Sequence, residues 1–120
     1  MSKQRILRVN SLLKEVISEV IFRDLHHIIE KVEFISITSV DVTPDLRSAK
    51  VYISVIGSSQ DKEKACITLN DISGQIAHIA MKKVVMRIFP KLHFYIDEGL
   101  ENEIRVCEIL NKVLPKDDES

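Results

Sequence analysis

The chain has 120 residues, a length that suits one domain with a single modest core. Its hydrophobic content of 45% is typical of a soluble globular protein and excludes a disordered chain. No apolar run approaches the roughly 20 residues that a membrane span needs. The opening segment MSKQRILRVN lacks the apolar stretch of a secretory signal, so we expect a cytoplasmic protein. Cys66 and Cys107 have no metal-ligand or disulfide spacing and are interpreted as two unpaired packing residues.

The formal charge of −1 conceals an uneven distribution of charged residues. Two segments carry basic residues and no acid, namely 1–14 with Lys3, Arg5, Arg8 and Lys14, and 75–93 with Lys82, Lys83, Arg87 and Lys91. Because salt screens charges over about 10 Å, a local basic surface can bind an anionic partner although the total is near zero. Ordinary solvated faces explain the same pattern, so charge alone leaves both interpretations open.

The first predicted element is a helix from about Gln4 to the His26–His27 region. Its apolar residues recur at three- and four-residue steps, which is the period of one helix face. Adjacent histidines point about 100° apart on a helix, so they do not easily share a metal. We interpret them as helix-end residues near the free carbonyl groups.

Two strands follow the helix. The first, EFISITSVDV, loses its alternation near Thr38–Ser39, and this slip predicts a β-bulge or bend. The turn Thr43-Pro44-Asp45 ends it, because proline fixes the backbone and cannot donate to a ladder. The second strand alternates more regularly, and its predicted buried face consists of Ala49, Val51, Ile53 and Val55.

A helical region is predicted between Gly57 and Pro90, with Ser58 and Asp61 at the spacing of a capping box. The segment KLHFYID then predicts a third strand. Residues 100–114 predict a final helix with one apolar side, formed by Ile104, Cys107, Leu110 and Leu114. Three strands among segregated helices indicate an α+β domain over residues 1–114, followed by an acidic flexible tail at 115–120.

Gly74 lies inside the long helical region, where glycine costs about 1 kcal/mol relative to alanine. On a helical wheel, the apolar stripes before and after it are offset by about 100°. The first stripe comprises Leu69, Ile72 and Ile76, and the second Ala77, Ala80, Met81, Val84, Val85 and Ile88. One straight helix cannot place both stripes on one sheet, so we expect a kink at Ile72-Ser73-Gly74.

The kink and the basic segments together indicate a phosphate-binding surface. On the same wheel, Gln75 and three basic residues gather opposite the second stripe, with Ile79 and Met86 as exceptions. A kink also frees N–H groups at the start of the second half-helix, which suits an anion. The predicted RNA contacts are Lys3, Arg5, Arg8, Gln75, Lys82, Lys83, Arg87 and Lys91.

Two blocks, VDVTPDLRSAKVYISV at 40–55 and MRIFPKLHFYID at 86–97, make the chain similar to a known family. It resembles the ribosome-binding factor A family over nearly all of residues 5–110. The resemblance implies a type II KH-like fold, in which an interhelical kink of alanine, any residue and glycine replaces the usual glycine-rich RNA-clamping loop. That kink corresponds to Ile72-Ser73-Gly74, with isoleucine in place of the family's alanine.

The resemblance implies an assembly factor that binds the immature 30S subunit and 16S rRNA. It also implies help in late maturation, including 5′-end processing of 16S rRNA, and support of growth in the cold. We expect no cofactor, no metal and no enzyme activity, since no phosphate loop, nucleophile elbow or metal pair occurs in the sequence. Few aromatics and no tryptophan favour recognition of phosphates and rRNA shape over base stacking.

We expect a monomer. The alternative interpretation is a protein-interaction module whose helices dimerise and whose basic faces are incidental.

Overall fold

A computed structural model describes residues 3–98 and 104–107. In this part of the chain, three α-helices pack on a mixed four-stranded sheet. The helices are Lys3–Glu19 (α1), Ser59–Asp71 (α2) and Ser73–Met81 (α3), and the strands Ile35–Val42 (β1), Ser48–Val55 (β2), Lys91–Asp97 (β3) and Ile104–Val106 (β4). The strands follow that order across the sheet, with β2 and β3 parallel and the other pairs antiparallel. The predicted α+β class is confirmed.

The first helix continues into a π-helical turn, Val20–Asp24, which ends close to the predicted boundary. The Leu25 N–H closes this turn by donating to the Val20 carbonyl at 3.0 Å. The wider turn keeps Val20 and the following residue fully buried against the core. The ring Nδ1 of His26 lies 3.2 Å from the Arg23 carbonyl oxygen, so the helix-end interpretation of this histidine is confirmed.

The bulge in β1 is confirmed, because the register between β1 and β2 shifts between Ile37 and Ser39. Thr38 lies at the shift, with its hydroxyl 3.1 Å from both the Tyr52 carbonyl oxygen and the Asp97 carboxylate. Its side chain therefore ties the irregular part of β1 to its neighbours across the sheet.

The regular face of β2 forms the centre of the core, as predicted. Its apolar side chains are buried between the sheet and the helices: Ala49, Val51, Ile53 and Val55. Leu13 and Ile17 of α1 and Phe94 of β3 are buried in the same cluster. Burial of each large apolar side chain contributes about 1.5–3 kcal/mol, so this cluster supplies the main stabilisation of the fold.

The predicted capping box opens α2. The Asp61 N–H donates to the Ser58 hydroxyl at 3.1 Å, and the Ser58 N–H donates to the Asp61 carboxylate at 3.0 Å. These bonds from Ser58, the backbone one first, lower the pKa of Asp61. Gly57 precedes the box with a φ of 147°, and a Cβ there would lie 2.6 Å from Asp61 Oδ2. Only glycine fits this position without strain.

The predicted helical region does not reach Pro90. It ends at Met81, where the Lys82 N–H donates to the Ile79 carbonyl and the Lys83 N–H to the Ala80 carbonyl. These three-residue bonds tighten and terminate the helix. Val84 and Val85 are β-branched and Pro90 disfavours helical geometry before it, so the sequence beyond Met81 supports a helix poorly. The second apolar stripe is therefore divided: Ala80 is buried and Ala77 and Val84 pack against the core, whereas Met81, Val85 and Ile88 are exposed.

The chain after β3 also differs from the prediction. Residues 104–106 form β4 rather than part of a helix, and Val106 pairs with Tyr95. The edge of β3 offers unpaired backbone groups, and this pairing overrides the helical spacing of the apolar residues. The rest of the predicted final helix and the tail at 115–120 lie outside the described residues.

Cys66 of α2 and Cys107, directly after β4, are paired as a disulfide. Their Cα atoms are 5.8 Å apart, within the usual range for bonded cysteines. The expectation of two unpaired thiols is therefore wrong, although Cys66 is also a packing residue without exposed surface. The pair could not be predicted from the spacing of the two cysteines, because the pairing of β4 with β3 brings Cys107 to α2.

Candidate nucleic-acid interface

The predicted kink is present between α2 and α3. Ile72 breaks the helix with φ −102° and ψ 16°, ending α2 and preceding α3. Gly74 lies in the first turn of α3 and does not have a positive φ. The prediction of free N–H groups at the start of the second half-helix is wrong for Ile76, whose N–H donates to the Ile72 carbonyl at 3.0 Å. The backbone bends at the isoleucine, two residues before the glycine.

Asn70 fixes the position of this break against the sheet. Its Nδ2 donates to the Phe94 carbonyl at 3.1 Å, and its Oδ1 accepts the Phe94 N–H at 2.8 Å. Nδ2 also lies 3.2 Å from the Cys66 carbonyl oxygen of its own helix. Asn70 is not among the residues predicted from the sequence, where its signal is a polar residue four positions after the buried Cys66. The two bonds to Phe94 hold the end of α2 at the edge of β3.

A groove lies between α1, the β1–β2 turn and residues 85–88, and we call it the arginine groove. Its lining consists of Arg5, Val9, Leu12, Asp45, Leu46, Val85, Met86, Arg87 and Ile88. The fold thus brings together Arg5 from the first basic segment and Arg87 from the second. Guanidinium groups bind phosphate oxygens in pairs of parallel hydrogen bonds, and the apolar lining can cover a sugar or base.

Asp45 gives this groove one negative charge. The Thr43 hydroxyl donates to its carboxylate at 2.7 Å and the Arg47 N–H donates at 3.1 Å. These two bonds, the hydroxyl first, lower the pKa of Asp45, so it remains ionised at neutral pH. They also fix the β1–β2 turn, in which the Leu46 N–H donates to the Thr43 carbonyl. The predicted turn is confirmed, and it forms a defined wall of the arginine groove.

The predicted basic helix face does not exist as such, because α3 ends before Lys82. Lys83 points to acidic groups, with Nζ 3.3 Å from Asp24 Oδ2 and 4.0 Å from Glu19 Oε2. These ion pairs hold the end of α3 beside the π-helical turn and make Lys83 a poor phosphate ligand. The remaining predicted contacts with described side chains are exposed: Arg8, Gln75, Lys82 and Lys91. Lys3 is the first residue of α1.

A second groove, which we call the kink groove, lies between α3 and the start of β3. It is lined by Asn70, Ser73, Gly74, Ala77, Phe89, Pro90, Lys91, Leu92 and His93. The kink and Lys91 therefore share one surface, whereas the two arginines share another. Within the described ranges, no group of three or more His, Cys, Asp or Glu side chains could hold a metal, and no helix is long and apolar enough to span a membrane.

We expect Gly74→Ala to raise the free energy of unfolding by up to about 1 kcal/mol, because the glycine is helical. The added Cβ would meet no heavy atom within 4 Å. The matched control is Gly57→Ala, which should lower stability by at least about 1 kcal/mol because of its positive φ and its contact with Asp61. Urea denaturation of both variants measures the difference. A destabilised Gly74→Ala variant would contradict a helical glycine at this position.

Comparison with known proteins places the chain in a family. The family model described as ribosome-binding factor A matches residues 5–110. A ribosome-binding factor A of Protochlamydia amoebophila is 48% identical over 113 residues, covering 94% of this chain and 86% of that protein.

Two solved structures share the fold. The crystal structure of ribosome-binding factor A from Thermus thermophilus has a TM-score of 0.64 at 18% identity, covering 74% of this chain and 92% of that one. A homology model of the Thermus thermophilus factor, fitted into a cryo-electron microscopy map of a complex with the 30S subunit, has a TM-score of 0.56 at 21% identity, covering 70% and 86%. The match over residues 5–110 and the identity to the Protochlamydia protein show that this chain belongs to the ribosome-binding factor A family.

Proposed function

We propose that this chain binds the immature 30S subunit and contacts 16S rRNA through the arginine groove. The observation that carries this proposal is the convergence of Arg5 and Arg87 on one groove, in a member of the ribosome-binding factor A family. The fitted complex of the Thermus thermophilus factor with the 30S subunit supports the choice of partner. The other predicted contacts remain part of the proposal: Arg8 and Lys82, which are exposed, Lys3 at the start of α1, and Gln75 and Lys91, which lie near the kink in the sequence or line the kink groove.

The two arginines are held on different elements, one on α1 and one on the segment before β3. Two fixed cations can grip separate phosphates of one rRNA segment, so binding would stabilise one rRNA conformation over others. Such holding assists late maturation, including 5′-end processing of 16S rRNA by other proteins, and it has most value in the cold, where RNA rearranges slowly. The chain acts as a monomer in the cytoplasm and needs no cofactor.

Sedimentation of cell extract through a sucrose gradient tests this function. Co-migration with free 30S subunits but not with 70S ribosomes supports it. A specific observation favours a second function, a dimerisation module, because Leu7, Val85 and Ile88 are large apolar side chains with exposures of 61%, 103% and 52%. Protein that stays at the top of the gradient at low salt, with the mass of a dimer, supports that second function.

The proposed factor holds RNA and does not cut it. Purified protein incubated with precursor 16S rRNA and divalent metal ions should leave the RNA intact, as read on a denaturing gel. The physical reason is that the described residues lining the arginine groove include one carboxylate, which is committed to bonds within its own turn, and no second acid or base. RNA cleavage that follows the protein peak through two purification steps would contradict this prediction.

A further inference from the structure

We propose that Tyr52 and Tyr95 form a stacking surface for unpaired RNA bases, on the face of the sheet opposite to the helices. This surface shares no residue with the arginine groove. The choice of RNA as the partner rests on the proposed function. The location and the chemistry rest on the two tyrosines and on the basic side chains beside them.

Alternation along β2 and β3 gives the sheet two different faces. One face is buried under the helices, through residues such as Val51 of β2 and Phe94 of β3. The side chains between these positions point to the other side, because successive residues of a strand alternate. The residues on that side are partly or fully exposed, and we call it the open face: Ser48, Lys50, Tyr52 and Ser54 of β2, and Lys91, His93, Tyr95 and Asp97 of β3.

The two tyrosines lie side by side at the centre of the open face. The parallel register pairs Tyr52 directly with Tyr95. Their ring centroids are 5.9 Å apart, with an angle of 43° between the ring planes, and both residues are partly exposed. An aromatic ring on a strand offers a flat apolar surface on which any RNA base can stack. The small number of aromatic residues did not indicate this pair, because the sequence does not show the register of β2 and β3.

Basic side chains lie beside the tyrosines, towards the start of both strands. The Nζ of Lys50 is 5.9 Å from the centroid of the Tyr95 ring, within the range of a cation–π contact. The same residue pairs with His93 in the ladder, and Lys91 lies one row further along. Lys91 and His93 are exposed and also line the kink groove. These side chains can hold the phosphates of a strand whose bases stack on the tyrosines.

The acidic side chains leave this end of the open face positive. Asp97 belongs to the other end, where its carboxylate accepts the Thr38 hydroxyl at 3.1 Å. Asp41 of β1 is exposed on the same side of the sheet and pairs with Lys50 in the ladder. In the described part of the sheet, it is the one acid beside two lysines and a histidine. The charge therefore suits a polyanion that extends from the tyrosines towards Lys91.

The tyrosine fluorescence of the full chain tests the inference without any substitution, because the chain contains two tyrosines and no tryptophan. A single-stranded oligoadenylate of about eight nucleotides should quench most of this emission, after correction for the light that the RNA absorbs. A duplex of the same length and an oligoglutamate of equal charge should quench little, because neither offers an unpaired base. No quenching by oligoadenylate, or equal quenching by duplex or oligoglutamate, would overturn the inference.

The variant Arg5→Gln with Arg87→Gln separates this inference from the proposed function. It should lose affinity for 30S subunits and keep the quenching by oligoadenylate, because neither arginine lies on the open face. Quenching that disappears with the arginines would place the RNA in the arginine groove and overturn the inference. Quenching of the parent chain together with a failure to co-migrate with 30S subunits would support the inference and contradict the proposed function alone.

Substitutions at Tyr95 provide an independent readout, measured as the polarisation of labelled oligoadenylate. Tyr95→Leu should weaken binding by at least about fivefold, whereas Tyr95→Phe should retain it, because phenylalanine also stacks on bases. The matched control is Phe22→Leu, which removes a 37% exposed aromatic ring from the π-helical turn and should bind like the parent chain. Equal affinities of Tyr95→Leu and Phe22→Leu, or an equal loss in Tyr95→Phe and Tyr95→Leu, would contradict stacking on this ring.

Discussion

The double substitution Arg5→Gln with Arg87→Gln should weaken binding to 30S subunits by about 100-fold. A hydrogen bond to a charged group contributes at least about 1.5 kcal/mol, and each arginine is assigned one phosphate. Binding releases fewer counterions from the RNA when two phosphate contacts are lost. The magnitude of the slope of log affinity against log salt concentration should therefore fall by about two. Both side chains are exposed, so the free energy of unfolding should change by less than about 1 kcal/mol.

The matched control for this experiment is Lys31→Gln with Lys64→Gln, which removes the same charge from another place. These lysines line a different cavity beside Ile35, at the opposite end of β1 from the arginine groove. They pair with Asp61 and Glu30 on the surface, so their loss costs little stability. Binding titrations at several salt concentrations compare the two variants. Equal weakening in both would mean that total charge, rather than the arginine groove, determines affinity.

Lys83 should behave differently from the arginines. Its ion pairs with Asp24 and Glu19 are internal to the fold, so Lys83→Gln removes a contact between the end of α3 and the π-helical turn. The side chain is 32% exposed, which limits the loss of stability to about 1 kcal/mol. Lys83 is predicted to contact phosphate because segment 75–93 contains no acid. The sequence does not show that Asp24 and Glu19, which lie outside this segment, come close to Lys83 in the fold.

The elements that the sequence predicts well are those determined by local patterns. The alternation of β2, the slip at Thr38 and the capping spacing of Ser58 and Asp61 each depend on residues a few positions apart, and the structure confirms all three. The kink is also predicted from two offset apolar stripes, although the second stripe continues past the end of α3 at Met81.

The features that the sequence did not predict depend on contacts between distant segments. The strand β4 forms because β3 offers an edge, and Cys107 meets Cys66 only through that pairing. The end of α3 at Met81 precedes the β-branched pair Val84-Val85 and the later Pro90, whose effect on a helix periodicity alone does not measure. The arginine groove could be anticipated only as two separate basic segments, because the sequence does not show that Arg5 and Arg87 face the same space.

Asn70→Ala should lower the free energy of unfolding by about 3 kcal/mol, a large effect for one polar residue. Phe94 is 2% exposed, so water cannot replace the two bonds that its N–H and carbonyl lose. An unsatisfied buried backbone group costs about 1–3 kcal/mol, and this substitution leaves two. Urea denaturation measures the loss, with the dependence of the unfolding free energy on urea concentration equal in the variant and the parent chain.

Asn10→Ala is the matched control, because Asn10 uses the same side chain to make a single backbone bond. Its Oδ1 accepts the N–H of buried Val42 at 2.8 Å. Asn10→Ala leaves one buried backbone group without its hydrogen-bond partner, whereas Asn70→Ala leaves two. The loss of unfolding free energy in Asn10→Ala should therefore be about half as large. If Asn70→Ala costs no more than Asn10→Ala, the carbonyl of Phe94 finds another donor when Asn70 is shortened. In that case the end of β4, rather than Asn70, would hold the α2–α3 junction against the sheet.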